Sequence, residues 1–189
     1  MNMKISAVIL AGGKARRMGG VDKGLQLYQG TPLFMHCYRR LRGQVAEISL
    51  NANRNQAVYA QSGLSVFSDQ PADFQGPLSG ILTSLERADS EFVLFVPCDS
   101  PFLPLDLREK LESAVKNRGV LAAYASDGER EHPTFCLLST QLASVLADYL
   151  QRGERRMLAF MRQQGAVAVD FSEQRSAFRN MNNLEDLQN

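Results

Sequence analysis

The apolar run Ile5 to Leu10 opens abruptly into a loop crowded with glycine and positive charge, Ala11-Gly-Gly-Lys-Ala-Arg-Arg-Met-Gly-Gly-Val-Asp-Lys-Gly24. Glycine here permits close backbone approach to a ligand and angles that other residues avoid. Lys14, Arg16, Arg17 and Lys23 share this loop with a single acid, Asp22. A buried strand that delivers such a loop at its carboxyl end suits an anionic group, above all a nucleotide phosphate, held by amides and cations together. Two common phosphate motifs do not fit. Gly19 to Gly24 is followed by Leu25, whereas a P-loop requires Gly-Lys-Ser/Thr at its end, and adjacent Gly12 and Gly13 with Ala15 break the dinucleotide fingerprint. From the residues alone, a solvated βα connection with incidental arginines remains open beside the phosphate reading.

The pattern around the loop matches the opening of nucleotidyltransferases, in which a first strand leads into Leu-x-Gly-Gly, a spaced Arg-Met-Gly and then a lysine. Here the parts are Leu10-Ala11-Gly12-Gly13, Arg17-Met18-Gly19 and Asp22-Lys23. Further matches follow in order: Asn51-Ala-Asn53, Asp69, Gly76-Pro77-Leu78, Pro97-Cys98-Asp99, the segment Asp127 to Pro133, Gly153 to Arg156, and Asn180-Met-Asn182. On these residues the chain resembles the molybdenum cofactor guanylyltransferase (MobA) family. The resemblance implies a Rossmann-like nucleotidyltransferase fold and transfer of GMP from GTP to the terminal phosphate of molybdenum-carrying molybdopterin, with release of pyrophosphate. It also implies that Leu10, Ala11, Gly12, Gly13, Lys23, Asn51, Asp69 and Asp99 contact GTP or its Mg²⁺. Gly20, Arg156, Asn180 and Asn182 fall to the acceptor side. One departure touches that side: Asn183-Leu184 stands where similar members often carry Thr-Pro. Transient contacts with proteins that deliver the labile cofactor, and with molybdoenzymes that accept it, are implied as well.

Composition sets bounds that need no resemblance. A chain of 189 residues, 44% hydrophobic, is long enough for one domain with a substantial core. Within that domain, the resemblance implies a nucleotide-binding half of about 1–100 and an acceptor half of about 101–189. A net charge of +1 provides no global field for nucleic acid. No apolar stretch is long enough for a membrane span, and the N-terminal run lacks a cleavage site, so a cytoplasmic location is expected. Cys37, Cys98 and Cys136 are too far apart for a disulfide framework or zinc pattern.

Apolar runs alternate with helical patterns, which predicts an α/β fold of three layers: a mostly parallel central sheet covered on both faces. Thr31-Pro32 reads as an N-cap followed by proline at the first helical position, with Leu33, Cys37 and Leu41 at helical spacing to Gly43. Val45 to Asn51 and Leu64 to Phe67 are the next strands, separated by a helix near Asn55 to Gln61. The polar residues at their ends, Asn51 to Arg54 and Ser68 to Gln70, should converge on one crevice. Leu78, Ile81, Leu82 and Leu85 mark a helix after the ordered loop from Asp69 to Pro77. Phe92 to Val96 is the most continuous β-type run and should be a central strand buried on both faces. It ends in Pro97-Cys98-Asp99-Ser100-Pro101, where a proline-bracketed carboxylate suits Mg²⁺ held against phosphates. A turn aspartate capping local amides is the competing reading of Asp99.

Farther on, Leu107, Leu111, Ala114 and Val115 predict a helix ending near Gly119, and Val120 to Tyr124 a strand. Asp127-Gly128 links that strand to another at Pro133 to Leu138, an antiparallel excursion from the parallel sheet. A helix begins near Ser139 or Thr140, and Gly153-Glu-Arg-Arg156 opens another, its two arginines either facing an anion or lying on a solvated face. Ala166 to Val169 is the last strand candidate, and a short helix follows Asn182. Cys98 reads as core, His132 as structural or surface, and His36 as packing or helix surface.

The chemistry assembled from these pieces is charge neutralisation, since an attacking phosphate must approach the α-phosphorus although both groups are anionic. Arg17 and Lys23 would stabilise the transferring and leaving groups, and Asp99 would anchor Mg²⁺. A CTP-dependent cytidylyltransferase, a sugar-phosphate nucleotidyltransferase and a non-catalytic GTP-binding adaptor share enough of these features to stay open at this point.

Overall fold

A computed structural model describes residues 2–12, 20–70 and 76–181. Arg17, Gly13 and Asn182, with the rest of 13–19, 71–75 and 182–189, lie outside the described residues. The elements run β1 (Ile5–Leu10), β2 (Leu27–Tyr28), β3 (Thr31–Pro32), α1 (Leu33–Leu41), β4 (Ile48–Asn51), α2 (Gln56–Ala60), β5 (Ser65–Phe67), α3 (Pro77–Arg87) and β6 (Phe92–Pro97). They continue with α4 (Leu107–Arg118), β7 (Ala122–Ser126), β8 (Glu131–Ser139), α5 (Ala143–Gln151), α6 (Met157–Gln163) and β9 (Val167–Asp170).

Among the described residues, seven strands form one sheet in the order β5-β4-β1-β6-β8-β7-β9. Every neighbouring pair is parallel except the two that β8 makes, with β6 and with β7. The chain winds from β1 outward through β4 to β5, then returns to lay β6 on the other side of β1. That reversal is a topological switch point, and in open α/β sheets ligands bind outside the carboxyl ends of the strands that flank it. Asn51 and Pro97 both lie opposite Leu10, so the segments after β1, β4 and β6 leave the sheet side by side.

The core is split between the two faces by strand alternation. Ala7, Ile9, Leu94 and Val96 point with Leu50 toward α1, α2 and α4, while Val8, Val93 and Phe95 point toward α3, α5 and α6. The five residues Phe92 to Val96 are all buried, as their unbroken apolar run requires.

Local differences from expectation have local causes. Thr31 is not a helix cap: it pairs with Tyr28 in a two-stranded hairpin, and α1 starts after Pro32 with no side-chain cap. Gln29 and Gly30 make the turn with φ of 50° and 75°. That is the left-handed pair that a two-residue hairpin demands. His36 Nε2 then donates a 2.9 Å hydrogen bond to the Tyr28 carbonyl and fixes the hairpin to α1, a packing role. The strand expected from Val45 begins only at Ile48. The antiparallel excursion is real, but β8 is threaded into the middle of the sheet, not appended outside it.

The Asp127 turn is built on its own carboxylate. Oδ1 accepts from the amides of Glu129 and Arg130 at 2.9 and 2.8 Å, and Oδ2 lies 2.7 Å from His132 Nε2. His132 stacks on Phe178 at 4.7 Å, so it is structural, tying the hairpin to the C-terminal segment. The His132 hydrogen bond, followed by the two amides, holds the Asp127 carboxyl well below the ordinary range. A depressed folded pKa gives stability that is present above the unfolded value of about 4 and lost as pH falls from there toward the folded value. Replacing Asp127 by Asn should therefore flatten the acid limb of a plot of Tm against pH. An unchanged limb would show that the turn does not depend on this charge.

Candidate active site

At the switch point, backbone hydrogen bonds gather the ends of four strands, β5, β4, β1 and β6, into one wall. The Ala11 amide donates to Asn51 O at 2.8 Å, the Cys98 amide to Leu10 O at 3.1 Å, and the Ala52 amide to Phe67 O at 2.9 Å. Leu10, Ala11 and Gly12 thereby lie between the groups that follow β4 and those that follow β6. The polar residues after β4 and β5, expected from the sequence to meet at one crevice, do so.

On the β4 side, Asp69 is 8% exposed. Asn51 Nδ2 donates to its Oδ1 at 2.8 Å, Asn53 Nδ2 donates to Oδ2 at 3.1 Å, and the Asp69 amide donates back to Asn53 Oδ1 at 2.9 Å. Two glycines make room for this cluster. A Cβ on Gly12 would stand 3.2 Å from both Asn51 Oδ1 and Asn53 Nδ2, and one on Gly80 would overlap Asn51 Oδ1 outright. Asn51 and Asp69 are legible in the sequence as site residues, and Asn53 only as part of a motif. Gly80 is the residue that sequence reasoning missed, although a glycine inside a helical pattern is a signal of close approach.

On the β6 side, Lys23 Nζ lies 3.5 Å from Asp99 Oδ2. Burial raises the Asp99 carboxyl above its ordinary value, and the Lys23 ammonium pulls it part of the way back. The Asp99 side chain thus faces a cation from 76 residues away, which separates it from a simple turn cap. The C-terminal segment closes over it: the Met181 amide donates to Asp99 O at 3.0 Å, and Ser100 Oγ donates to Asn180 Oδ1 at 2.8 Å. Asn180 is therefore brought beside Asp99.

The remaining candidates are more dispersed. Gly20 has φ 83° and its carbonyl accepts from Arg54. Arg156 sits at the start of α6, exposed, with its carbonyl taking the Tyr149 hydroxyl at 2.9 Å. Of the arginine pair, Arg155 turns its guanidinium back onto the Leu150 carbonyl at the end of α5, where a cation is favoured. Cys98 and Cys37 are buried, and burial pushes the Cys37 thiol up to about 12 and Cys98 well above its usual value. Both are therefore packing groups and not nucleophiles.

A metal is the remaining ingredient to test. Among the described residues no group of three or more His, Cys, Asp or Glu side chains converges, so no all-protein cage exists there. Mg²⁺ does not need one, since it keeps several waters and is held by one or two carboxylates plus substrate phosphates. Asp99, desolvated and next to a glycine loop, fits that role.

A doubly wound sheet with Gly12, a lysine and a buried carboxylate at its switch point fits a nucleotide-handling transferase. The family described as "MobA-like NTP transferase domain" matches residues 7–167, and the chain belongs to it. It is 67% identical over 188 residues to the molybdenum cofactor guanylyltransferase of Pasteurella multocida (strain Pm70), covering 100% of both chains. It is 57% identical over 187 residues to the enzyme of the same name from Haemophilus influenzae (strain ATCC 51907 / DSM 11121 / KW20 / Rd), covering 99% of this chain and 97% of that one. Among solved structures, molybdopterin-guanine dinucleotide biosynthesis protein A from Archaeoglobus fulgidus superposes with a TM-score of 0.78 at 18% identity, covering 97% of this chain and 95% of that chain. The chain is a nucleotidyltransferase enzyme. No helix among the described residues is long and apolar enough to cross a membrane.

Proposed function

We propose that this enzyme transfers GMP from GTP to the terminal phosphate of molybdenum-carrying molybdopterin, giving the guanine dinucleotide cofactor and pyrophosphate. The observation that carries the chemistry is Lys23 poised 3.5 Å from Asp99 beside the glycine loop, at the point where β1 and β6 end. An acceptor phosphate oxygen attacks the α-phosphorus of GTP, a new P–O bond forms, and the bond to the bridging oxygen of pyrophosphate breaks. Neither a protein nucleophile nor an obligatory general base is required.

In this reading Gly12 and Gly13 present backbone amides to the triphosphate, Leu10 and Ala11 hold them at the end of β1 with the Ala11 amide bonded to Asn51 O, and Lys23 and Arg17 offset charge that grows on the transferring and leaving groups. Asp99 holds Mg²⁺, which when bound neutralises phosphate charge. Asp69, held rigid by Asn51 and Asn53, faces the nucleoside, and Asn180 with Asn182, Gly20 and Arg156 serves the acceptor. Residues to about 100 form the nucleotide half of one domain and the rest the acceptor half. The location is cytoplasmic, with transient contacts to proteins that deliver molybdopterin and to molybdoenzymes that take the product.

Nucleotide competition tests the reading. Protein, Mg²⁺ and molybdopterin acceptor are incubated separately with GTP, CTP, ATP and UTP, and pyrophosphate and dinucleotide product are measured. GTP alone should turn over. Preference for CTP would make the enzyme a cytidylyltransferase, and tight GTP binding with no pyrophosphate would make it an adaptor.

A further inference from the structure

The stretch that carries Asn51 and Asn53 toward Asp69 runs directly into Arg54 and Asn55, whose side chains go elsewhere. Arg54 Nη1 donates to the Gly20 carbonyl at 2.8 Å and Nη2 to the Val21 carbonyl at 3.3 Å. Asn55 Nδ2 donates to Asp22 Oδ2 at 3.1 Å, and the Tyr59 hydroxyl donates to Asp22 Oδ1 at 2.5 Å. The consecutive residues Gly20, Val21 and Asp22, immediately ahead of Lys23, are each gripped from the β4–α2 connection or from α2 itself.

The grip is itself well anchored. Tyr59 is fully buried and stands edge-on to Phe34 at 5.0 Å. Its hydroxyl fits only because Gly24 has no side chain, since a Cβ there would collide with it and sit 3.3 Å from Cys98 Sγ. Asn55 has φ 52°. Non-glycine residues adopt that conformation at a cost, and it persists where surroundings hold it. Asp22, the one acid of the basic loop, is 7% exposed and accepts from two neutral donors, Asn55 Nδ2 and the Tyr59 hydroxyl, so it serves as an anchor for this stretch.

We propose that Arg54, Asn55 and Tyr59 are positioning residues, which fix the backbone of 20–22 so that the Lys23 ammonium is held at Asp99. This rests on the nucleotidyl-transfer reading above. A lysine carries its charge on a flexible four-carbon stem, so its reach is defined only if its own backbone is fixed. Misplacement of about 1 Å can lower a rate by about a hundredfold. The three act on the reaction through Lys23. Because Asn51 and Asn53 belong to the same connection, the clamp also joins the Asp69 cluster to the lysine through one continuous stretch, 51–55.

The test is a double-mutant cycle of Tyr59→Phe with Lys23→Ala, which isolates the part of the effect that passes through the lysine. Tyr59→Phe keeps the ring against Phe34 and removes only the hydroxyl. Its kcat for GMP transfer should fall about tenfold with KM for GTP changed less than about twofold, the pattern of a group felt only in the transition state. Added to Lys23→Ala, it should cause no further loss. Arg54→Lys, which keeps the charge but not the two-pronged grip, should behave the same way. Wild-type turnover in both Tyr59→Phe and Arg54→Lys, or a Tyr59→Phe loss that persists undiminished on Lys23→Ala, would overturn the proposal.

Amide exchange reads the clamp without catalysis. The Leu25 and Gln26 amides donate to Asp22 O and Lys23 O at 3.2 and 3.1 Å. In Tyr59→Phe they should exchange about tenfold faster, because local opening of that turn is no longer opposed. Unchanged exchange would refute the clamp. Accelerated exchange in a protein whose wild type transfers no nucleotide would place the failure in the parent reading instead.

Discussion

Asp99→Asn should lower Mg²⁺-dependent GMP transfer by about a thousandfold or more while raising Tm by on the order of 2 °C. The two effects share one cause. Burial raises the folded pKa of Asp99, which means that the fold disfavours its charged form, and Lys23 offsets only part of that. An asparagine keeps the shape, keeps an oxygen facing Lys23, and leaves the Asp99 carbonyl bond from the Met181 amide in place. The Lys23 side chain is 32% exposed. Its own charge therefore remains solvated after its partner is neutralised. What disappears is the negative charge that would hold Mg²⁺.

The pH dependence follows from the sign of the shift. With the folded pKa above the unfolded one, the folded state binds the proton more tightly, so wild-type stability rises as pH falls through the interval between the two values. Asp99→Asn should lose that rise. The kcat/KM of the wild type, which reports the free enzyme, should fall on acidification at a pH above that expected for an ordinary carboxylate, because Asp99 must be ionised before Mg²⁺ can bind. Calorimetry and pH–rate profiles of both proteins check this. A lowered Tm, or transfer above about a tenth of wild type, would remove Asp99 from its assigned role.

Why the sequence disclosed some of this site and not the rest depends on range. The strand–loop–lysine order and the run Phe92 to Val96 are local signals, and an uninterrupted apolar strand ending in a proline-bracketed aspartate is visible without any contact information. The partners of Asp22 are not. In sequence it reads as a lone acid among cations, and only the fold brings Tyr59 and Asn55 to it, from 37 and 33 residues away. The Leu27 to Pro32 hairpin is hidden because Gln29 occupies a positive-φ position without the Asn or Gly that usually advertises it. Likewise, Asp127-Gly128 announces that β7 and β8 pair, but nothing local tells β8 to place its other edge on β6.

Gly80→Ala tests the other half of the site, because there local propensity and tertiary packing make opposite forecasts. Within α3, alanine should stabilise the helix by about 1 kcal/mol relative to glycine. The new Cβ, however, would overlap Asn51 Oδ1, stand 2.9 Å from Asn51 Cγ and lie 3.3 Å from Asp69 Oδ1. Asn51 is 1% exposed at the end of β4, with its main chain opposite Leu10 and Phe67, so its backbone has nowhere to move. The side chain must rotate away and give up its 2.8 Å hydrogen bond to Asp69. Overpacking of about 1–3 kcal/mol and loss of a donor to a buried carboxylate worth about 1.5–3 kcal/mol outweigh the helix gain. A net loss of about 2–4 kcal/mol should appear as a Tm lower by roughly 5–15 °C. Affinity for GTP should drop about a hundredfold, since Asp69 would no longer be held toward the nucleoside. Asn51→Ala in the same chain clears the clash, so the double variant should recover much of the Tm relative to the sum of the two single losses, a favourable coupling between neighbours. It should not recover GTP affinity, because Asn51 itself is gone. A Gly80→Ala protein that melts higher than wild type and binds GTP normally would mean that Asn51 can yield, and that the Asn51–Asp69 bond is dispensable to the site.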